Sequence, residues 1–250
     1  MSLLFGCASQ LDGSSQSVSP LGAGACIFSS TNASAIALES PVLDSKLRIV
    51  DHPLVAAKLS VVRASSTGTE EFRRNIQDLS ILLLAESSRT WVGSAIEVQT
   101  PLQSCVGRAL AKPVVLVPIL RAGLAMVDGI MRMLPDAKVG HLGLYRDEKT
   151  LRPVTYYSRL PDELADAHVL LLDPMLATGH SASAAVALLK AQGARKIQFL
   201  CVVACPQGIA QLGQADSDIE IITAAVDGVL NDRGYIMPGL GDAGDRYFGT

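Results

Sequence analysis

His168-Val169-Leu170-Leu171-Leu172-Asp173-Pro174-Met175-Leu176-Ala177-Thr178-Gly179-His180-Ser181 decides how this chain folds. An unbroken aliphatic run marks a strand covered on both faces, as in a parallel sheet. The run ends in a carboxylate and opens into small residues ahead of a helix. Backbone N–H groups at a helix start lack intrahelical partners and lie at the positive end of the helix dipole, so the loop suits a phosphate without any lysine. Asp173, at the carboxyl end of a parallel strand, faces the crevice where open α/β sheets bind ligands and is placed to accept hydrogen bonds from sugar hydroxyls. Phosphate beside sugar points to a ribose 5-phosphate group.

Outward from this stretch, short apolar runs alternate with helical patterns. Residues 114–119, 139–145, 169–172, 197–204 and 219–224 read as strands, and residues 123–134, 181–192 and 208–212 as helices. The alternation predicts an α/β fold with a parallel sheet flanked by helices on both faces. Upstream, Pro53 suits a first helical turn, and Leu54, Val55, Leu59 and Val62 share a face. Thr67-Gly68-Thr69-Glu70 has capping-box spacing ahead of Phe72, Ile76, Leu79 and Leu83, a helix that should run to about Ser87. Residues 90–102, with Val92, Ile96 and Val98, alternate loosely and predict a hairpin or arm. The tail, 231–250, is glycine-rich without a hydrophobic period and reads as a long functional or unstructured loop.

Composition narrows the class. The chain has 250 residues, 49% hydrophobic and 18% charged, which fits a doubly covered sheet together with a large subunit interface. A net charge of −3 leaves no electrostatic footprint for nucleic acid or an anionic membrane. No apolar run is long enough for a transmembrane helix. The five cysteines, Cys7, Cys26, Cys105, Cys201 and Cys205, form no CxxC pair; Cys201 and Cys205 read as buried thiols, which fits a reducing, cytoplasmic setting. His52, His141 and His168 are scattered and suggest no metal site. Residues 1–48 are rich in Ser, Gly and Ala, with no Lys or Arg before Lys46. They read as a poorly ordered extension ahead of one domain at 49–250. Neither a signal peptide nor a mitochondrial presequence fits them, and Asn32-Ala33-Ser34 is a sequon of the kind that arises by chance.

Other nucleotide motifs fail. The loop after Asp173 lacks the Gly-Lys-Ser/Thr ending of a P-loop. Gly239-Leu240-Gly241-Asp242-Ala243-Gly244 spells a dinucleotide fingerprint but has no strand–helix context and no room for the helix that should follow.

Asp173-Pro174-Met175-Leu176-Ala177-Thr178-Gly179, after three leucines, resembles the signature by which phosphoribosyltransferases bind 5-phosphoribosyl 1-pyrophosphate (PRPP). Pro174 stands where most members carry a second acid, and the spelling is similar to the uracil phosphoribosyltransferase branch. Val117-Pro118-Ile119-Leu120-Arg121-Ala122-Gly123 looks like that family's pyrophosphate loop, and the segment from Gly234 through Tyr235-Ile236-Met237-Pro238 to Arg246 looks like its uracil loop. The resemblance covers 49 to 250. It implies a Rossmann-like phosphoribosyltransferase core with a β-arm and a C-terminal base-binding loop region, making UMP and pyrophosphate from uracil and PRPP.

The residues supply what PRPP requires. Ala177, Thr178, Gly179, His180 and Ser181 offer backbone N–H groups to the 5-phosphate, and Thr178 and Ser181 add hydroxyls. An ordinary helix capped by Ser181 is the bland alternative. Arg121 has the permanently charged fork suited to pyrophosphate; its bland alternative is a surface ion pair. The resemblance adds Arg146 and Asp242 to the PRPP site, extends the phosphate loop to Pro174, Met175 and Leu176, and gives uracil to Ile236, Gly241, Asp242 and Ala243. Rigid backbone groups there would read the imide edge and reject cytosine. Arg121, Arg146, Asp173 and Asp242 are the expected catalytic group, acting through positioning and charge. Mg2+ is expected to arrive mainly on PRPP, with no protein metal site.

His180 departs from the family, which has glycine or another small residue there; a side chain pointing to solvent is the simplest expectation, a protonatable group near the phosphate the other. Tyr235 could stack on the base or pack against its loop, and packing is the expectation. The apolar composition and the arm near Trp91 predict a homodimer or larger assembly. GTP is an effector among relatives, although no residue here points to it. A non-catalytic PRPP- or nucleotide-binding regulator on the same fold and a phosphoribosyltransferase for another base are the competing functions. The intact base loop speaks against the first.

Overall fold

Val169 and Leu171 face one side of a central sheet and Leu170 and Leu172 the other, and all four are buried. Alternation along a strand sends successive side chains to opposite faces, so one aliphatic run serves two cores. Leu170 and Leu172 join the cluster of Phe72, Ile76 and Leu79, while Val169 and Leu171 join that of Val186, Leu189 and Leu212. Each large side chain removed from water contributes about 1.5–3 kcal/mol.

The structure is a computed structural model and describes residues 46–146 and 153–250. It begins with β1 (Leu47–Ile49), helices α1 (Pro53–Arg63) and α2 (Thr69–Ser87), and the hairpin β2 (Gly93–Gln99) and β3 (Ser104–Leu110). Next come β4 (Val114–Leu120), α3 (Leu124–Met133), β5 (Lys138–Val139), β6 (His141–Arg146) and β7 (Pro153–Arg159). The second half holds β8 (His168–Leu172), β9 (Met175–Leu176), α4 (His180–Ala191), β10 (Ile197–Ala204), α5 (Pro206–Ala215) and β11 (Glu220–Val226). It ends with β12 (Val229–Leu230), β13 (Ile236–Met237) and α6 (Ala243–Phe248).

The main sheet has the order β1-β11-β10-β8-β4-β6-β7, with β5 beside β4 and β9 beside β10. Its pairings are parallel except β6 with β7. β2–β3 and β12–β13 are separate antiparallel hairpins. The parallel α/β architecture is the one expected from the alternating runs.

Several local expectations change. Leu54 is 54% exposed, so Val55 and Val62 carry the buried face of α1. The capping box does not form: Gly68 is the N-cap of α2, and the Thr67 hydroxyl donates to the Val61 carbonyl instead. Likewise α4 starts at His180 with Gly179 as its N-cap, so Ser181 caps nothing. The strand read at 139–145 is two strands broken at Gly140, whose N–H donates to Leu116 O at 2.8 Å. β7 went unread, because an exposed antiparallel edge strand leaves no clear apolar period. The tail is ordered, with β13 and α6 anchored by buried Ile236, Leu240, Ala243 and Tyr247.

β1 straddles the boundary drawn at residue 48 and pairs parallel with β11. Residues 1–45 of the extension, with the sequon, lie outside the described residues. So do Asp147, Glu148 and Lys149, which read from sequence as a solvated charge run after Arg146. Cys201 and Cys205 are free, buried thiols, and burial pushes Cys201 up to about 12. At the base of the arm, Trp91 stacks on His168 with ring centroids 4.5 Å apart. No described helix is long and apolar enough to cross a membrane.

Candidate active site

β4 and β8 are parallel neighbours, with Pro118 opposite Leu172, and each hands on to a site residue: Arg121 follows β4 and Asp173 follows β8. The chain proceeds from β4 toward β6 on one side and from β8 toward β10 and β11 on the other. A reversal of this kind opens a crevice at the carboxyl ends of the strands. Gly123 lets the turn after β4 sit directly on the end of β8, since a Cβ there would stand 2.3 Å from Leu172 O.

Asp173 Oδ1 accepts from the Met175 N–H at 3.2 Å. Burial, with a further push from the charge of Asp242, raises its carboxyl from 3.8 to about 7, against the opposing Met175 hydrogen bond. After Asp173, Pro174 is buried and Met175 and Leu176 pair with Val203 and Ala204 of β10. Ala177 and Thr178 complete the turn, and Gly179 enters α4 at φ 80°. His180 and Ser181 form the first turn, where helix geometry leaves N–H groups unpaired. His180 does not simply reach into solvent: its Nδ1 is shielded and, among the described residues, has no hydrogen-bond partner.

The Arg121 guanidinium lies 3.0 Å from Asp245 Oδ1 and 5.8 Å from the centre of the Phe248 ring, with its side chain 59% exposed. Arg146 ends β6, which pairs with β4 through Leu142 and Gly143, so its backbone is at the same end of the sheet.

In the C-terminal segment, Ile236 is buried and pairs with Leu230. Gly241 has φ 79°. Asp242 caps α6, accepting from the Asp245 N–H at 2.9 Å, and Ala243 is buried. Gly244 packs toward Ala122, which a Cβ would meet at 3.7 Å. Thus the segments 117–123, 173–181 and 236–246 meet at one end of the sheet. Tyr235, expected to pack on its loop, is 42% exposed. Sequence reasoning missed Asp245 and Phe248, although the Asp242-to-Asp245 spacing of a helix cap was a signal.

Among the described residues, no group of three His, Cys, Asp or Glu could hold a metal ion. A cavity of about 310 Å³, bordered by Trp91, His168, Lys196 and Glu220, lies at the amino ends of β8, β10 and β11, opposite this crevice.

The family description uracil phosphoribosyltransferase matches residues 49–250. The chain belongs to the uracil phosphoribosyltransferase family. A uracil phosphoribosyltransferase of Desulfitobacterium hafniense is 49% identical over 207 residues, covering 82% of this chain and 99% of that protein. One from Dictyoglomus thermophilum is 51% identical over 203 residues, covering 81% and 98%. Among solved structures, the AQ2163 protein of Aquifex aeolicus superposes with a TM-score of 0.77 at 37% identity, covering 81% of this chain and 97% of that one. The adenine phosphoribosyltransferase of Trypanosoma brucei, at 15% identity and TM-score 0.50 over 77% of this chain and 88% of that one, shares the fold. The family match spans all three segments that meet at the crevice.

Proposed function

We propose that this chain converts uracil and PRPP to UMP and pyrophosphate. The observation that carries the reading is the convergence of the three segments, tied by the 3.0 Å contact of Arg121 with Asp245 and by the close approach of Gly123 to Leu172. The bond from ribose C1 to the pyrophosphate oxygen breaks, a bond from C1 to uracil N1 forms on the opposite face, and the N1 proton leaves to solvent.

In this reading Pro174, Met175 and Leu176 lead into a turn, Ala177 to Ser181, whose backbone N–H groups cradle the 5-phosphate, and Asp173 accepts from the ribose hydroxyls. Arg121 and Arg146 balance charge on the departing pyrophosphate. Ile236, Gly241, Asp242 and Ala243 present backbone to the uracil edge; the buried side chains of Ile236 and Ala243 support that division of labour. Asp242 also faces PRPP. Holding both substrates in line lowers the barrier with no covalent intermediate on the protein.

Mg2+ would arrive mainly on PRPP, where the carboxylates of Asp173 and Asp242 could face its charge. Bound there, the ion would neutralise phosphate charge.

The arm supports a homo-oligomer: Leu102 is 94% exposed and Val106 80%, on a hairpin whose two strands, among the described residues, pair with each other alone. A domain at 49–250 with a separate N-terminal extension, acting in the cytoplasm, completes the proposal.

Purified protein incubated with PRPP, Mg2+ and labelled uracil is expected to form UMP. No UMP across a range of salt and GTP concentrations overturns the reading, and preference for another base reassigns the substrate.

A further inference from the structure

Gly239 stands two residues before the base-facing run Gly241-Asp242-Ala243, and both of its backbone polar groups are held from outside the loop. Its N–H donates to Asp227 Oδ2 at 2.8 Å, and its carbonyl accepts from Arg63 Nη1 at 2.8 Å. The holders lock each other: Arg63 forks onto Asp227 with contacts of 2.6 and 2.8 Å. Arg63 is the last residue of α1, and Asp227 follows β11 with its N–H on Ala204 O at 2.8 Å. Asp227 is only 8% exposed. Burial works against its charge, yet the Arg63 hydrogen bond and charge and the Gly239 N–H outweigh it and hold the carboxyl below its ordinary value.

A second guanidinium continues the anchorage. Arg246 donates to the carbonyls of Leu240, Val62 and Ala64 and lies 4.3 Å from the centre of the Phe72 ring. The conformation between the anchors leaves little slack, since Gly239 has φ 58° and a Cβ there would stand 2.1 Å from Ile236 O.

A buried ion pair is weak evidence for stability, because desolvation offsets most of its attraction. What this pair fixes is the place of a backbone. Reading a small planar base through main-chain groups tolerates little displacement, and about 1 Å of misplacement costs on the order of a hundredfold in rate.

We propose that Arg63 and Asp227 are a positioning pair for the base, setting the backbone of 239–241 against the uracil edge without touching substrate. This rests on the proposed uracil-binding role of 236–243. Among the described residues, the side chains of Arg63 and Asp227 hydrogen-bond to each other and to Gly239 and to no residue of the phosphate loop, so disturbance of the pair should fall mainly on uracil.

The experiment measures steady-state kinetics of the full chain and its Arg63→Lys, Asp227→Asn and double variants, varying uracil and PRPP separately. UMP formation by the wild type tests the functional reading on its own. For each variant the uracil KM is expected to rise about tenfold or more, with the PRPP KM within about threefold of wild type. The double variant should be no worse than the poorer single one, as for two groups acting as a unit. Uracil KM values within about twofold of wild type, or uracil and PRPP KM values rising together, overturn the proposal. Hydrogen exchange on the wild-type protein needs no variant: the Gly239 amide should be strongly protected, and exchange at the rate of an open loop overturns the clamp.

Discussion

Asp245 holds the guanidinium of Arg121 at 3.0 Å, so the arginine assigned to pyrophosphate already has a carboxylate partner. Incoming pyrophosphate must displace it. An ion pair this exposed is worth about 0–1 kcal/mol. Asp245→Asn should therefore lower the PRPP KM by up to about fivefold. Arg121→Ala should reduce kcat/KM for PRPP by about 10²–10³, and Arg121→Lys should recover only part, because an ammonium cannot fork.

Asp173 makes stability depend on pH in the direction opposite to an ordinary salt-bridged acid. Its folded value of about 7 lies above its ordinary 3.8. Between those values the folded chain holds a proton that the unfolded chain releases. The resulting stabilisation is complete below the unfolded value and is lost as pH rises through about 7. Asp173→Asn should match wild-type melting at pH 4 and exceed it at pH 8.5, while abolishing tight PRPP binding. A melting difference that stays flat with pH is the contrary result.

Gly179→Ala should damage the phosphate loop. Its φ is 80°, and a Cβ would meet Gly208 O at 2.7 Å. We expect a loss of about 1–3 kcal/mol in denaturant unfolding together with a raised PRPP KM. Gly213→Ala is the control: it lies within α5, and a Cβ there meets nothing within 4 Å. That change should stabilise by about 0.4–1 kcal/mol.

The shielded, unpartnered Nδ1 of His180 carries a cost of about 1–3 kcal/mol. His180→Ala should raise the melting temperature. An unchanged PRPP KM and pH profile in His180→Gly would show that the imidazole plays no part in holding phosphate.

Light scattering at micromolar concentration should find a dimer or larger assembly. Placing aspartates at Leu102 and Val106 should shift it toward monomer; a wild-type monomer contradicts the assembly.

What could be read from sequence follows from how each element is held. The 169–172 strand was legible because two cores demand an unbroken aliphatic run, and the phosphate loop because it follows that run directly. The order of the tail was not, since Arg63 reaches Asp227 and Gly239 across 164 and 176 residues, and such anchors leave no local period. The capping box misled because the Thr67 hydroxyl found the Val61 carbonyl instead of a helix N–H. His180 stood out as a departure from the family, but only the folded environment reveals that its Nδ1 is enclosed.

The Trp91–His168 stack gives the protein a built-in optical reporter. This is the single tryptophan of the chain. Its ring lies 9° from parallel to the imidazole, and its N–H donates to Gln198 Oε1 at 3.0 Å. Burial, and after it the charges of Lys112 and Lys196, keeps His168 easier to deprotonate than an ordinary histidine, so quenching by imidazolium should set in only at acidic pH. Near neutrality, indole emission then follows the root of the arm from the end of the sheet opposite the crevice, which lets subunit association be watched away from the substrate site.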